Sequence, residues 1–179
     1  MWSILLSRSG LRLRALGRAG PMALVLLAGL AGQAVIARDS LGMFATWGAF
    51  RDPGVPRCYA IAMADPSTAE RERQAYAAIG SWPARGQRNQ VHFRLSRQMA
   101  PSSHPVLAIN GQHLNLVGSG SDAWSVDPRM DAAIVAAMRS ARSMRISAKD
   151  TKGRPFVDVY ALAGAATAMD AATLGCARA

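Results

Sequence analysis

Residues 38–179 of this 179-residue chain are the part expected to fold, because residues 1–37 read as a secretory leader. Arg8, Arg12, Arg14 and Arg18 precede an apolar run from Met22 to Gly32, and small residues follow at Ala34 and Ala37. No acidic residue comes before Asp39. The run is short for a membrane span, which needs about 20 apolar residues. The preferred cut falls after Ala37, and a cut after Ala34 is the second choice. An uncleaved anchor is the alternative, which Gln33 and the glycines weaken. Each version places the domain outside the cytoplasm, periplasmic or secreted, with the membrane touched only by an uncleaved leader.

That compartment gives the cysteines a meaning. Cys58 and Cys176 are the only two in the chain, and export makes their oxidation to one disulfide available. No Cys-x-x-Cys pair exists, and neither cysteine has a histidine at metal-ligand spacing. The chain has 21 basic and 11 acidic residues, and four of the basic ones lie in the leader, so the mature part carries about +6. This favours anionic surfaces or acidic partners. Nucleic acid is not expected, because basic residues are not interleaved with aromatic ones along the chain.

The rest of the sequence reads mostly as short strands. Met43–Arg51 is a first strand, ended by the turn residues Asp52-Pro53-Gly54-Val55-Pro56. Tyr59, Ile61 and Met63 alternate with small residues in a second strand that carries Cys58. Ser67 to Gln74 is an exposed polar insert in which Ser67 and Glu70 could form a capping box over a short helix. Strands at 76–82 and 90–98 follow. In the second of these Val91, Phe93 and Leu95 face the core, and His92, Arg94, Ser96 and Gln98 face the other way. Asn110-Gly111 marks a type I′ hairpin between Val106–Ile109 and the strand carrying Leu114 and Leu116. Gly118 to Ser121 is a loop, and Asp122 to Val126 is a short strand.

Asp127-Pro128 opens a helix over about 128–140, with Met130, Ile134, Ala137 and Met138 on one face. Strands at 143–149 and 154–162, joined through Thr151-Lys152-Gly153, precede an alanine-rich helix over about 164–177. About eight short strands and two helices make a single mainly β domain, a β-sandwich with helical decoration.

Catalytic and metal chemistry find little support. His92 and His113 would meet if their strands paired, but neither has a further ligand at zinc spacing, so no metal or cofactor is expected. Gly118-Ser119-Gly120 falls short of a nucleophile elbow. Asp122, Asp127 and Asp131 cluster at a helix start, where capping and dipole compensation are their ordinary roles. Two arginine groups, Arg85, Arg88, Arg94, Arg97 and Arg139, Arg142, Arg145, are the candidate anion- or partner-binding residues, since guanidinium groups grip carboxylate and phosphate at two points. Trp47 and Trp124 are expected in the core.

Several segments together resemble the invasion-associated locus B family. These are Ala123-Trp124, Ala137-Met138-Arg139, Met144-Arg145-Ile146, Lys152-Gly153, the run Asp158 to Gly164, Ala168 and Cys176, with Trp47 and Cys58-Tyr59 as a weaker opening. The resemblance spans about residues 42–176 and leaves Ser67 to Gln74 unmatched. It implies an exported α-proteobacterial envelope protein with an immunoglobulin-like β-sandwich and no assigned enzymatic activity. Some relatives are linked to invasion of host cells, but that phenotype supplies no mechanism and is not carried over.

The expectation is therefore a non-enzymatic binding or structural protein of the cell envelope. The alternatives are a small secreted hydrolase and a periplasmic inhibitor or chaperone-like module that adds a strand to its partner.

Overall fold

The computed structural model describes residues 38–177, so residues 1–37, the expected leader, lie outside the described residues. The chain begins with two hairpin-linked strands, β1 (Asp39–Phe44) and β2 (Trp47–Asp52), where a single strand at 43–51 was expected. Ala45 takes a φ of 51° between them, which turns the chain back. β3 (Arg57–Met63), β4 (Tyr76–Trp82) and β5 (Gln87–Arg94) continue the meander. β6 (Val106–Ile109) and β7 (Gln112–Asn115) form the Asn110-Gly111 hairpin, with both turn residues at positive φ as a type I′ turn requires. β8 (Val117–Ser119) occupies the expected loop and pairs with β9 (Asp122–Trp124). Helix α1 (Pro128–Met138), strands β10 (Ser143–Lys149) and β11 (Pro155–Ala161), and helix α2 (Ala165–Ala177) complete the order.

The described residues thus form eleven strands in two antiparallel sheets, with two helices. One sheet runs β1-β2-β3-β4-β5-β9-β8 and the other β11-β10-β6-β7. They share one core. Phe93 of β5 meets Tyr160 of β11, and the Trp47 indole N–H donates to the Ala161 carbonyl at 2.9 Å. Trp47 is fully buried, as expected.

Helix α2 packs on β1, β2 and β3 through small side chains. Ala165, Ala168 and Ala172 are buried on the helix, and Ala49, Ala60 and Ala62 are buried on the sheet. Small residues on both partners let the backbones approach closely. The disulfide seals this contact: Cys58 on β3 and Cys176 on α2 are bonded, with Cα atoms 5.7 Å apart. Helix α1 covers β5. Asp127 caps it by accepting from the Met130 N–H, while Asp131, assigned to dipole compensation from sequence, is buried and accepts from the Val91 N–H at 2.7 Å.

The insert differs from expectation in one respect. No helix forms, and the Ser67 hydroxyl accepts from the Ala69 N–H in a local turn. Ser67 to Glu70 is exposed as expected, but the segment is strapped to the body. Glu72 and Arg73 N–H groups donate to the Ser96 carbonyl, and Arg97 donates twice to the Glu70 carbonyl. That strap is why the strand predicted over 90–98 stops at Arg94. From Leu95 onward the backbone serves the insert and Ser121 instead of a sheet neighbour. The alternation holds as far as Leu95, with Val91, Phe93 and Leu95 buried and His92 and Arg94 partly exposed. Ser96, expected on the outward face, is buried, its N–H donating to Asp158 Oδ2.

Candidate functional site

Alternation along β3 places the larger side chains on the face away from α2. Cys58, Ala60 and Ala62 point to the core and α2, so Arg57, Tyr59, Ile61 and Met63 point the other way. Close packing against an alanine-rich helix admits only small residues on the inner face, which leaves the bulk outside. On β4 the same parity turns out Tyr76, Ala78, Gly80 and Trp82. Register then aligns them with Phe50 on β2, Gln90, His92 and Arg94 on β5, and Asp122 and Trp124 on β9. The outer face of the seven-stranded sheet is therefore rich in aromatic rings. Met43 and Met63, 65% and 56% exposed, flank it.

The rings are held in two groups. Phe50 stacks on Tyr59 with centroids 5.7 Å apart, and the Arg57 and Arg38 guanidinium groups sit 4.7 and 5.7 Å from the Tyr59 centroid. Across the sheet His92 stacks on Trp124 at 5.2 Å and meets the edge of Tyr76 at 5.6 Å. Asp122 fixes the imidazole, with Oδ1 2.8 Å from His92 Nε2, and lies 2.9 Å from Arg94 Nε. The Arg94 N–H is not aimed at that oxygen and makes no hydrogen bond.

A depression of about 280 Å³ lies between the groups. Ala78 forms its floor, and the Trp82 ring lies over Gly80, where a Cβ would come within 2.9 Å of it. Arg38, Arg57, Tyr59, Ile61, Met63, Tyr76, Trp82, Gln90 and His92 make the walls, and none of these lining residues is a carboxylate. Tyr59 is only 6% exposed, and among the described residues its hydroxyl has no hydrogen-bond partner. Arg57 Nε is likewise buried without one, although Arg57 Nη2 lies 3.5 Å from Asp52 Oδ2. Burial pushes the Tyr59 hydroxyl above its ordinary pKa, against the pull of Arg38 and Arg57, so it is a neutral donor at physiological pH.

The arginines singled out from sequence do not form two patches. Arg85 and Arg88 are exposed near the start of β5, and Arg94 belongs to the aromatic face. Arg97 is not a candidate for binding: it is 8% exposed and its guanidinium is used by Asp150 at 3.2 Å and by the Glu70 carbonyl. Arg139 pairs with Asp170 at 2.6 Å. Arg142 is exposed, and Arg145 is exposed on the outer face of β10 beside Val159 and His113. His92 and His113 lie in different sheets and do not meet. Trp124 is on the aromatic face and half-buried, not in the core, and Asp122 serves His92 instead of the helix start.

Sequence reading missed Tyr59, Tyr76, Trp82, Arg38 and Arg57 as a group. Their common parity on adjacent strands was the available signal, but it needs the inward direction of Cys58 to be known first. No family model, curated protein or solved structure matches the chain. The fold and this face stand on the geometry alone: a mainly β protein of two antiparallel sheets with one aromatic, arginine-bearing sheet face.

Proposed function

We propose that the chain is an exported, non-enzymatic binding protein of the bacterial cell envelope, of the invasion-associated locus B type and with that type's immunoglobulin-like sandwich. It acts through the outer face of its seven-stranded sheet. The observation that carries this reading is the outward placement of Tyr59, Tyr76, Trp82 and Trp124 around a depression whose lining holds arginines and no carboxylate. Aromatic and arginine side chains dominate binding energetics where they can be desolvated by a partner. The face has a rigid support, since its strands are pinned from behind by α2 and the disulfide.

Two features favour this over the alternatives. A hydrolase needs a nucleophile beside its base, and among the described hydrogen bonds His92 contacts Asp122 alone. Strand addition needs a long open edge, whereas edge strands β8 and β7 have three and four residues and the six-residue edge strand β1 is interrupted by a bulge between Ser40 and Gly42. On edge strand β11 the Val159 carbonyl is already used by the Asp65 N–H.

The test is affinity capture from an envelope extract with wild-type protein and with Ala78→Trp, which fills the depression from its half-exposed floor. Wild-type capture should fall steeply between 0.1 and 1 M salt, as the Debye length shortens from about 10 to about 3 Å. Ala78→Trp should lose it. Salt-insensitive capture, or full capture by the variant, removes this face from the account. Turnover of esters, peptides or glycosides by the pure protein overturns the non-enzymatic reading.

A further inference from the structure

The proposed binding face has a chemistry more specific than positive charge. Its floor at Ala78 and its wall at Trp82 are apolar, while Arg38 and Gln90 bring polar groups to its rim and Tyr59 and Arg57 bring buried ones. The buried, unpartnered Tyr59 hydroxyl and Arg57 Nε are the decisive feature. An unmade hydrogen bond at a buried group costs about 1–3 kcal/mol, which a bound acceptor removes. A pocket with an apolar body and a few placed polar groups selects a ligand of the same division. A pyranose ring has it, with an apolar C–H face and a rim of hydroxyls.

We infer that, on the reading above, this depression binds a carboxylate-bearing sugar unit of an acidic polysaccharide. The ring lies over Ala78 beside Trp82, a sugar oxygen accepts from the Tyr59 hydroxyl, and the carboxylate faces Arg38, which is exposed and, among the described residues, has no carboxylate partner. Single-stranded nucleic acid shares the negative charge but needs open aromatic faces for its bases. Here the Tyr59 ring is covered by Phe50 and Arg57, and the His92 ring by Trp124. The covered rings leave hydroxyl, guanidinium and amide edges as the recognition groups, which suits sugar oxygens better than bases.

Isothermal titration of the purified protein with a short oligogalacturonate tests this, with its methyl ester as the uncharged isostere and oligo-dT as the competing polyanion. Saturable binding of the acid, with at least tenfold weaker binding of the ester and of oligo-dT, is expected. Tyr59→Phe removes one oxygen and should weaken binding by about three- to tenfold. Arg38→Gln should weaken binding of the acid by roughly tenfold or more and leave the ester nearly unchanged. No binding of the oligogalacturonate, equal binding of acid and ester, oligo-dT binding as tightly, or unchanged affinity in Tyr59→Phe each overturns the assignment. If the sugar fails while Ala78→Trp still abolishes capture from the envelope, the ligand class is wrong and the face is right. If Ala78→Trp leaves capture intact as well, the face itself is wrong.

Discussion

The Phe93 and Tyr160 rings meet across the two sheets with centroids 6.0 Å apart, and both side chains are fully buried. This contact ties β5 to β11 at the centre of the core. Truncating Phe93→Ala leaves a cavity that the surrounding strands cannot close, so it should destabilise the domain by about 3–5 kcal/mol. Urea unfolding of the variant measures this, and a loss below about 1 kcal/mol would mean that the sheets do not pack through this residue.

Tyr160 itself predicts the opposite sign. Its hydroxyl is buried with no partner among the described residues, and desolvation together with the Asp158 charge pushes its pKa far up. The oxygen is therefore a neutral group that gains nothing from its place. Tyr160→Phe should stabilise the domain by about 1 kcal/mol, because it removes the unmade hydrogen bond and keeps the ring. A clear fall in the unfolding midpoint would show that the hydroxyl has a partner after all.

The bond between Cys58 and Cys176 closes a separation of 118 residues. On the chain-entropy model this is worth roughly 4–5 kcal/mol. Cys58→Ala with Cys176→Ala, or reduction of the native protein, should lower stability by about that amount and loosen α2 first. An unfolding curve that reductant leaves unchanged contradicts it.

Acid should weaken the strap between the insert and the body. Burial alone would raise the Asp150 pKa, but the Arg154 and Lys152 backbone N–H groups and the Arg154 side chain hold it below the usual carboxylate range. A carboxyl depressed in the folded state stabilises above its unfolded pKa of about 3.9, and that stability is lost as pH falls through the lower folded value. Asp150 also holds Arg97, which in turn donates to Glu70. Thermal midpoints measured downward from pH 5 should therefore fall in the wild type, and less steeply in an already destabilised Asp150→Asn. Parallel curves would remove Asp150 from the acid response.

The strands were legible where hydrophobic alternation had one large and one polar side, as at Val91, Phe93 and Leu95. The hairpin at Asn110-Gly111 and the cap at Asp127 were legible because few residues adopt those conformations or supply that acceptor. The aromatic face was not. The alternation of Tyr59, Ile61 and Met63 with small residues marks a strand but not which of its sides faces the core. Helix α2 reserves the core side of β3 for small residues, and no local pattern in β3 announces a helix more than a hundred residues away. Arg97 misled for a similar reason. Its burial depends on Asp150 and on the insert, two segments distant in sequence, whereas arginine spacing alone suggested an exposed group.

The central claim, that a partner occupies the outer face of the seven-stranded sheet, is tested most directly by photo-crosslinking in the intact cell. A benzoylphenylalanine placed at Ala78 probes that face, and one at Val157, 46% exposed on the outer side of β11, probes the other sheet. The account predicts envelope adducts from position 78 and none from position 157. Adducts from position 157 with none from position 78 would contradict it.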